Sequence, residues 1–317
     1  MNKDSRSIPA HLSDFLDWLD IEKGLSAKSQ ENYARFLGRF LSWLKKNNLQ
    51  NIKPHELTSD HVWRYRVFLS RQYRSKSNAV LKRSTQNYYL IAVRSLLNYF
   101  ADRDIISLPS EKIKLAKDKK EKQVRFLNLD QIEKLVSVIK IDKIQGLRDR
   151  AILEVLFSTG MRIAELAALN RNQFKNLAFK RLELGIIGKG GRARTVYFSE
   201  RSLEWLGKYL KTRNDDNKPL FINYRRRNGT DERLSVRYME KMIKRYALLA
   251  GLPSNTTPHV MRHSFASDLL SQGVDLRIIQ EFLGHKNISA TQIYTHVTSK
   301  KLRDIHRRFH AADNTKE

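Results

Sequence analysis

No cysteine occurs anywhere in the 317 residues. Disulfides, thiolate metal sites and cysteine nucleophiles are thereby excluded, and nothing points to an oxidising compartment. Acidic residues are scarce too: 33 stand against 60 lysines and arginines, a formal charge of +27. No Asp/Glu cluster accompanies the basic residues, so carboxylate–metal nuclease chemistry has little to build on. No stretch approaches the roughly 20 apolar residues of a membrane span, and the start MNKDSRSIPAHLSDFLDWLD lacks the apolar core of a signal peptide. A cytoplasmic protein without a membrane partner is the expectation. There is no internal repeat and no low-complexity basic tail of the kind found in ribosomal or chromatin-packaging proteins. The positive charge is instead spread through amphipathic helices, which favours a folded protein that works on DNA or RNA.

With 41% hydrophobic residues the chain is large enough for two domains, each with its own core. Residues 1–110 read as an all-α domain. Leu12, Phe15, Leu16 and Leu19 mark a first helix; Tyr33, Phe36, Leu37, Phe40, Leu41 and Leu44 form one apolar stripe on a second. A third begins near Thr58, and after the basic run RSKSNAVLKRS a fourth presents Tyr89, Val93, Leu96, Leu97 and Phe100. Residues 111–125, charged and almost devoid of large apolar side chains, read as a linker. A second domain, 126–317, opens with Asn128 and Gln131 spaced as a capping box. A helix over about 147–159 stops at Gly160. RLELGIIGKGGRARTVYFS follows as a β-hairpin, then helices around 200–211, 235–250, 259–272 and 275–283, one bearing Tyr294 and a last from about Ser299. The fold class is therefore mainly α, with a small β-hairpin in an α+β C-terminal domain.

Six side chains in that domain could carry chemistry. Arg162 in TGMRIAEL and Arg262 in PHVMRHSFASDLL each sit near the start of a predicted helix. Arginine is always charged and donates paired hydrogen bonds, and helix N-termini add backbone donors for an anion. Any one arginine in so basic a chain reads first as a solvated charge; only the neighbours single these out. Lys189 lies in Gly188-Lys189-Gly190-Gly191, which reads equally as a tight hairpin turn or as a mobile ammonium at a strand tip. It is not a P-loop, since the Gly-x-x-x-x-Gly-Lys-Ser/Thr string is absent. His259 and His263, four apart, invite zinc, but Val260 stands where a metallopeptidase has Glu and no clear carboxylate stands nearby as a third ligand. No metal and no cofactor is expected. His285 and Tyr294 lie in LGHKNISATQIYTHV. A phenol with a pKa of about 10 is a poor nucleophile until nearby cations favour phenolate. Two arginines, a lysine and two histidines that hold and protonate a phosphate, with a tyrosine to attack it, spell phosphodiester chemistry.

The order Arg162, Lys189, His259-x-x-Arg262, His285, Tyr294 resembles the tyrosine recombinases, and more narrowly the Xer-type site-specific recombinases. STGMRIAEL, GKGGRARTV, PHVMRHSFASDLL, GVDLRIIQEFLGH and SATQIYTHV carry the resemblance, and GLSAKSQENYARFLGRFLSWL and STQNYYLIAVRSLLNYF extend it over nearly the whole chain. It implies that Arg162 and Arg262 grip the scissile phosphate with help from His285, and that Tyr294 attacks to give a 3′-phosphotyrosyl bond. Lys189 then protonates the leaving 5′ oxygen, His259 assists, and Glu165 supports Arg162. It further implies a two-domain clamp, a core-binding helical domain plus the catalytic domain, on double-stranded DNA with an inverted-repeat site. A homotetramer or heterotetramer would exchange strands through a Holliday junction, with a DNA translocase or second recombinase as further candidate partners. The last helix, with Leu302, Ile305 and Phe309, would dock on a neighbouring protomer. The long basic run RQYRSKSNAVLKRST departs from the family and puts fine DNA contacts in doubt, and no arm-binding domain is read before residue 9. The alternatives are a catalytically silent DNA-binding regulator of the same fold and a relaxing enzyme like type IB topoisomerase.

Overall fold

Apolar residues repeating at three and four positions fold as the helices their spacing predicts. The computed structural model describes residues 2–74, 78–116, 125–174, 182–188, 191, 193–224 and 232–284. Two units are described separately, Met1–Lys122 and Gln123–Glu317. The first holds α1 (Leu12–Ile21), α2 (Ala27–Lys46), α3 (Ser59–Val67) and α4 (Arg83–Asp102) around an aromatic core of Phe15, Trp18, Phe40, Tyr65 and Phe100. The stripe on α2 is rotated slightly from its expected centre. Leu37, Phe40, Trp43 and Leu44 are buried, while Tyr33, Phe36 and Leu41 pack at the edge. Trp43, three residues after Phe40 and seven after Phe36, sits at the stripe's edge, and its large ring reaches Phe40 and Tyr65 at centroid distances of 6.2 and 5.4 Å. Thr58 caps α3, accepting from the His61 amide at 3.3 Å. Residues 111–116, in the stretch read as linker, lie against this unit: Ile113 is buried in its core, and Asn87 exchanges two hydrogen bonds with Ala116, at 2.9 and 3.1 Å.

The second unit is built around one buried helix. α5 (Leu129–Ser137) opens with the expected capping box: the Asn128 carboxamide accepts from the Gln131 amide at 2.8 Å, and Gln131 accepts from the Asn128 amide at 3.0 Å. α6 (Ile144–Thr159) starts three residues before its expected position and is covered on nearly every side. Even Arg148 and Asp149 are buried there. Their ion pair, at 2.7 Å, is satisfied by Arg148 donating to the Ile222 carbonyl (2.7 Å) and by the Tyr246 hydroxyl donating to Asp149 (3.0 Å). A buried pair with every partner present persists, whereas one left half-paired would be strongly destabilising. After α7 (Ile163–Ala168), β1 (Leu182–Ile187) and β2 (Ala193–Phe198) form the antiparallel hairpin, with Leu182 opposite Phe198 and Ile187 opposite Ala193. α8 (Glu200–Lys211), α9 (Val236–Leu249), α10 (Pro258–Ser271) and α11 (Leu276–Leu283) complete the described residues. The result is a mostly helical chain with one two-stranded sheet among the described residues. No helix among the described residues is long and apolar enough to cross a membrane.

Candidate active site

Gly160 ends α6 in the left-handed conformation, with φ 57°. A β-carbon there would lie 2.3 Å from the Phe265 ring of α10, so the two helices approach through this glycine. Its carbonyl accepts from Arg262 Nη1 at 2.7 Å. Gly160→Ala combines a strained φ with a clash, and is expected to destabilise by about 1–3 kcal/mol. The check is a urea melt, in which an unchanged midpoint would contradict the close approach.

Two residues on, Arg162 is the N-cap of α7. Arginine carries no acceptor, so only the Glu165 half of a capping box can form there. Glu165 accepts from the Arg162 amide at 2.8 Å and from Arg162 Nη1 at 3.0 Å. Arg162 Nη2 reaches the Gly284 carbonyl at 3.4 Å. Arg262 sits in the second turn of α10, a helix capped by Thr257 and primed by Pro258 at its first position. Only 6% exposed, it donates from Nη2 to the Leu283 carbonyl. Two guanidiniums a hundred residues apart in sequence therefore meet at consecutive carbonyls, where α11 ends at Gly284 (φ 61°).

His259 is exposed at the second position of α10, three residues before Arg262 and so on a neighbouring part of that helix surface. His263 is different: burial first, then the positive charges of His259 and Arg262, push its pKa from 6.5 down to about 4. It is a neutral packing residue at neutral pH. The folded state takes up this proton only near pH 4, the unfolded state near 6.5, so its contribution to stability is intact above pH 6.5 and is lost as pH falls from 6.5 towards 4. A His263→Leu variant is expected to lose less urea resistance than the parent across that window; parallel curves would remove the assignment. Glu165 is held below the usual carboxylate range. Burial alone would raise it, but hydrogen bonds from Arg194 and from the Arg162 amide outweigh that. Lys189, His285 and Tyr294 lie outside the described residues, as does the segment with Leu302, Ile305 and Phe309.

One residue at this site escaped the reading of the sequence. Arg194, on β2, grips Glu165 through both carboxylate oxygens, at 3.0 and 2.7 Å, and donates from Nε to the Phe282 carbonyl at 3.1 Å. Among 60 basic residues its only local sign is a long cation between Ala193 and Thr195 on a strand.

Residues 125–301 match the phage integrase family, and residues 12–104 match the phage integrase N-terminal SAM-like domain. The chain belongs to the phage integrase family, the tyrosine recombinases. Members of that family cleave and rejoin DNA strands, which sets the class of enzyme. The tyrosine recombinase XerD of Listeria innocua is 33% identical over 313 residues, spanning 94% of this chain and 98% of that protein. XerC of Thermodesulfovibrio yellowstonii is 32% identical over 312 residues, spanning 95% and 96%. In fold the chain is similar to the XerH site-specific recombinase bound to difH substrate in a pre-cleavage complex, with a TM-score of 0.66 at 21% identity, covering 93% of this chain and 84% of that one. The two-domain, mainly helical tyrosine-recombinase fold with its small sheet is thus the architecture of this chain as well.

Proposed function

We propose that this tyrosine recombinase acts at a specific inverted-repeat site on double-stranded DNA through Arg162, Lys189, His259, Arg262, His285 and Tyr294. Arg162 and Arg262 neutralise the scissile phosphate, and His285 donates a further hydrogen bond to it. The Tyr294 oxygen attacks phosphorus as the bond to the 5′ oxygen breaks. That oxygen takes a proton from Lys189, and the phenol's own proton leaves as the bond forms, with His259 assisting the transfer. The bond energy stays in the 3′-phosphotyrosyl link, so the 5′-hydroxyl of a partner strand reverses the step and frees the tyrosine without ATP or metal. The single observation that carries the reading is the meeting of Arg162 and Arg262 at the Leu283 and Gly284 carbonyls, directly before His285 in the chain and in the segment that runs on to Tyr294.

Residues 1–110 would clamp the duplex, 111–125 connect, and 126–317 cut; the charge of +27 supplies much of the affinity. Four protomers, of one kind or two, would pair two sites in the cytoplasm on the nucleoid, with the helix bearing Leu302, Ile305 and Phe309 seated on a neighbour. Dimer resolution of a chromosome or plasmid, or integration and excision of a mobile element, are the roles that fit, with a DNA translocase or a second recombinase as added partners. The test is incubation with nicked suicide duplexes drawn from the terminus of the protein's own replicon and from a random-core library. A detergent-resistant protein–DNA adduct is expected. Binding without adduct would mean a silent regulator, and relaxation of plasmid lacking paired sites would mean a topoisomerase.

A further inference from the structure

Among the described residues, Glu165 is the acidic side chain bound by both Arg162 and Arg194, and its charge is divided unevenly between them. Arg194 spans both carboxylate oxygens, at 3.0 and 2.7 Å, whereas the Arg162 guanidinium touches Oε1 alone, at 3.0 Å. Arg194 and Glu165 are nearly closed to solvent, with side chains 9% and 8% exposed, while Arg162 keeps 28%. Two-point pairing of a guanidinium with a carboxylate is the stronger geometry, and it gains further where water is excluded. Glu165 is therefore compensated mainly by the strand arginine, and Arg162 is oriented by the carboxylate without being neutralised by it.

All three nitrogens of Arg194 are engaged within the protein, and its side chain is only 9% exposed. Nη1 and Nη2 are on Glu165, and Nε donates to the Phe282 carbonyl near the end of α11. A β-carbon on Gly284 would lie 2.9 Å from Arg194 Cδ, so the arginine stem also packs against the α11 C-cap. One side chain thus joins the strand that begins four residues after Lys189, the carboxylate that orients Arg162, and the last helical turn before His285.

We propose that Arg194 is a positioning residue for strand cleavage: by holding Glu165 at both oxygens it keeps the carboxylate from capturing Arg162, leaving that guanidinium for the scissile phosphate. Without Arg194, Glu165 is buried beside a single cation and closes on it, and the phosphate loses one of its two arginines. The inference rests on the proposed roles of Arg162 and Tyr294.

The probe is a nicked duplex that the unmodified protein traps as a covalent adduct, and the readouts are single-turnover cleavage and DNA affinity. Arg194→Met is expected to slow cleavage roughly 100-fold, the cost of misplacing a group near the chemistry. DNA affinity should stay within about threefold, because one phosphate contact is a small part of so charged an interface. On a Glu165→Gln background the same substitution should cost less than about threefold, since no carboxylate remains to capture Arg162. A purely structural role would give equal losses on both backgrounds, and that result overturns the proposal. Arg194→Lys keeps the charge but cannot span both oxygens. It is expected to show an intermediate loss, and it decides the matter should the Met variant fail to fold: a folded Lys variant cleaving at the parental rate also overturns the proposal. If the unmodified protein forms no adduct, the functional reading itself has failed, a distinguishable outcome.

Discussion

Tyr294→Phe protein is expected to bind DNA as tightly as the parent and to form no covalent adduct at all. The substitution removes a single oxygen, yet under the proposed mechanism that oxygen makes the new bond to phosphorus, and no neighbouring group can replace it. The other proposed residues act on charge and protons, so losing one slows cleavage by a finite factor; losing the nucleophile leaves nothing to accelerate. Affinity should survive because it comes from many Lys and Arg contacts with phosphates, and it should fall steeply with salt in both proteins alike. The measurement pairs an adduct gel with a salt titration of binding. An adduct formed by the Phe variant would move the nucleophile elsewhere among the 12 tyrosines. Loss of binding along with the adduct would point instead to a packing role.

Local signals were legible where one stretch of chain settles its own conformation. The Asn128–Gln131 box, the left-handed stop at Gly160 and the hairpin of Leu182–Ile187 with Ala193–Phe198 depend on neighbouring residues, and each forms as its pattern requires. Cations were the opposite case. The excess of basic charge points to a polyanion, yet Arg148 is buried in an ion pair, and Arg213 is buried donating to the Leu220 carbonyl at 2.9 Å. Nothing in residue type separates these structural arginines from Arg162 and Arg262. What distinguishes the latter pair is tertiary: α10 crosses the end of α6 through the Gly160–Phe265 contact and brings Arg262 onto the Gly160 carbonyl, two residues from Arg162. Spacing along the chain cannot report a crossing between helices. Arg194 was hidden for the same reason, because its carboxylate partner lies 29 residues away on another element. The burial of Ile113 was masked differently, by the charged residues that surround it in sequence.

Arg262→Ala is expected to have the second-largest effect, and it should act on both chemistry and fold. Under the proposed mechanism its guanidinium faces charge that builds on the phosphate as tyrosine attacks. Removing one such group should slow single-turnover cleavage by on the order of 10²–10³-fold while binding changes little. The structure adds a second consequence. Arg262 is 6% exposed and donates to the carbonyls of Gly160 and Leu283, at the ends of α6 and α11. Truncation leaves two buried acceptors short of a donor, which should lower stability by about 1–3 kcal/mol. Arg262→Lys separates the two effects: a lysine keeps a positive charge, but its compact ammonium cannot fork between two carbonyls and also face a phosphate. Its cleavage rate should lie between those of the parent and the Ala variant, with a smaller loss of urea resistance than Ala causes. Parental cleavage by a folded Ala variant would remove Arg262 from the chemistry and leave it as the tie between two helix ends.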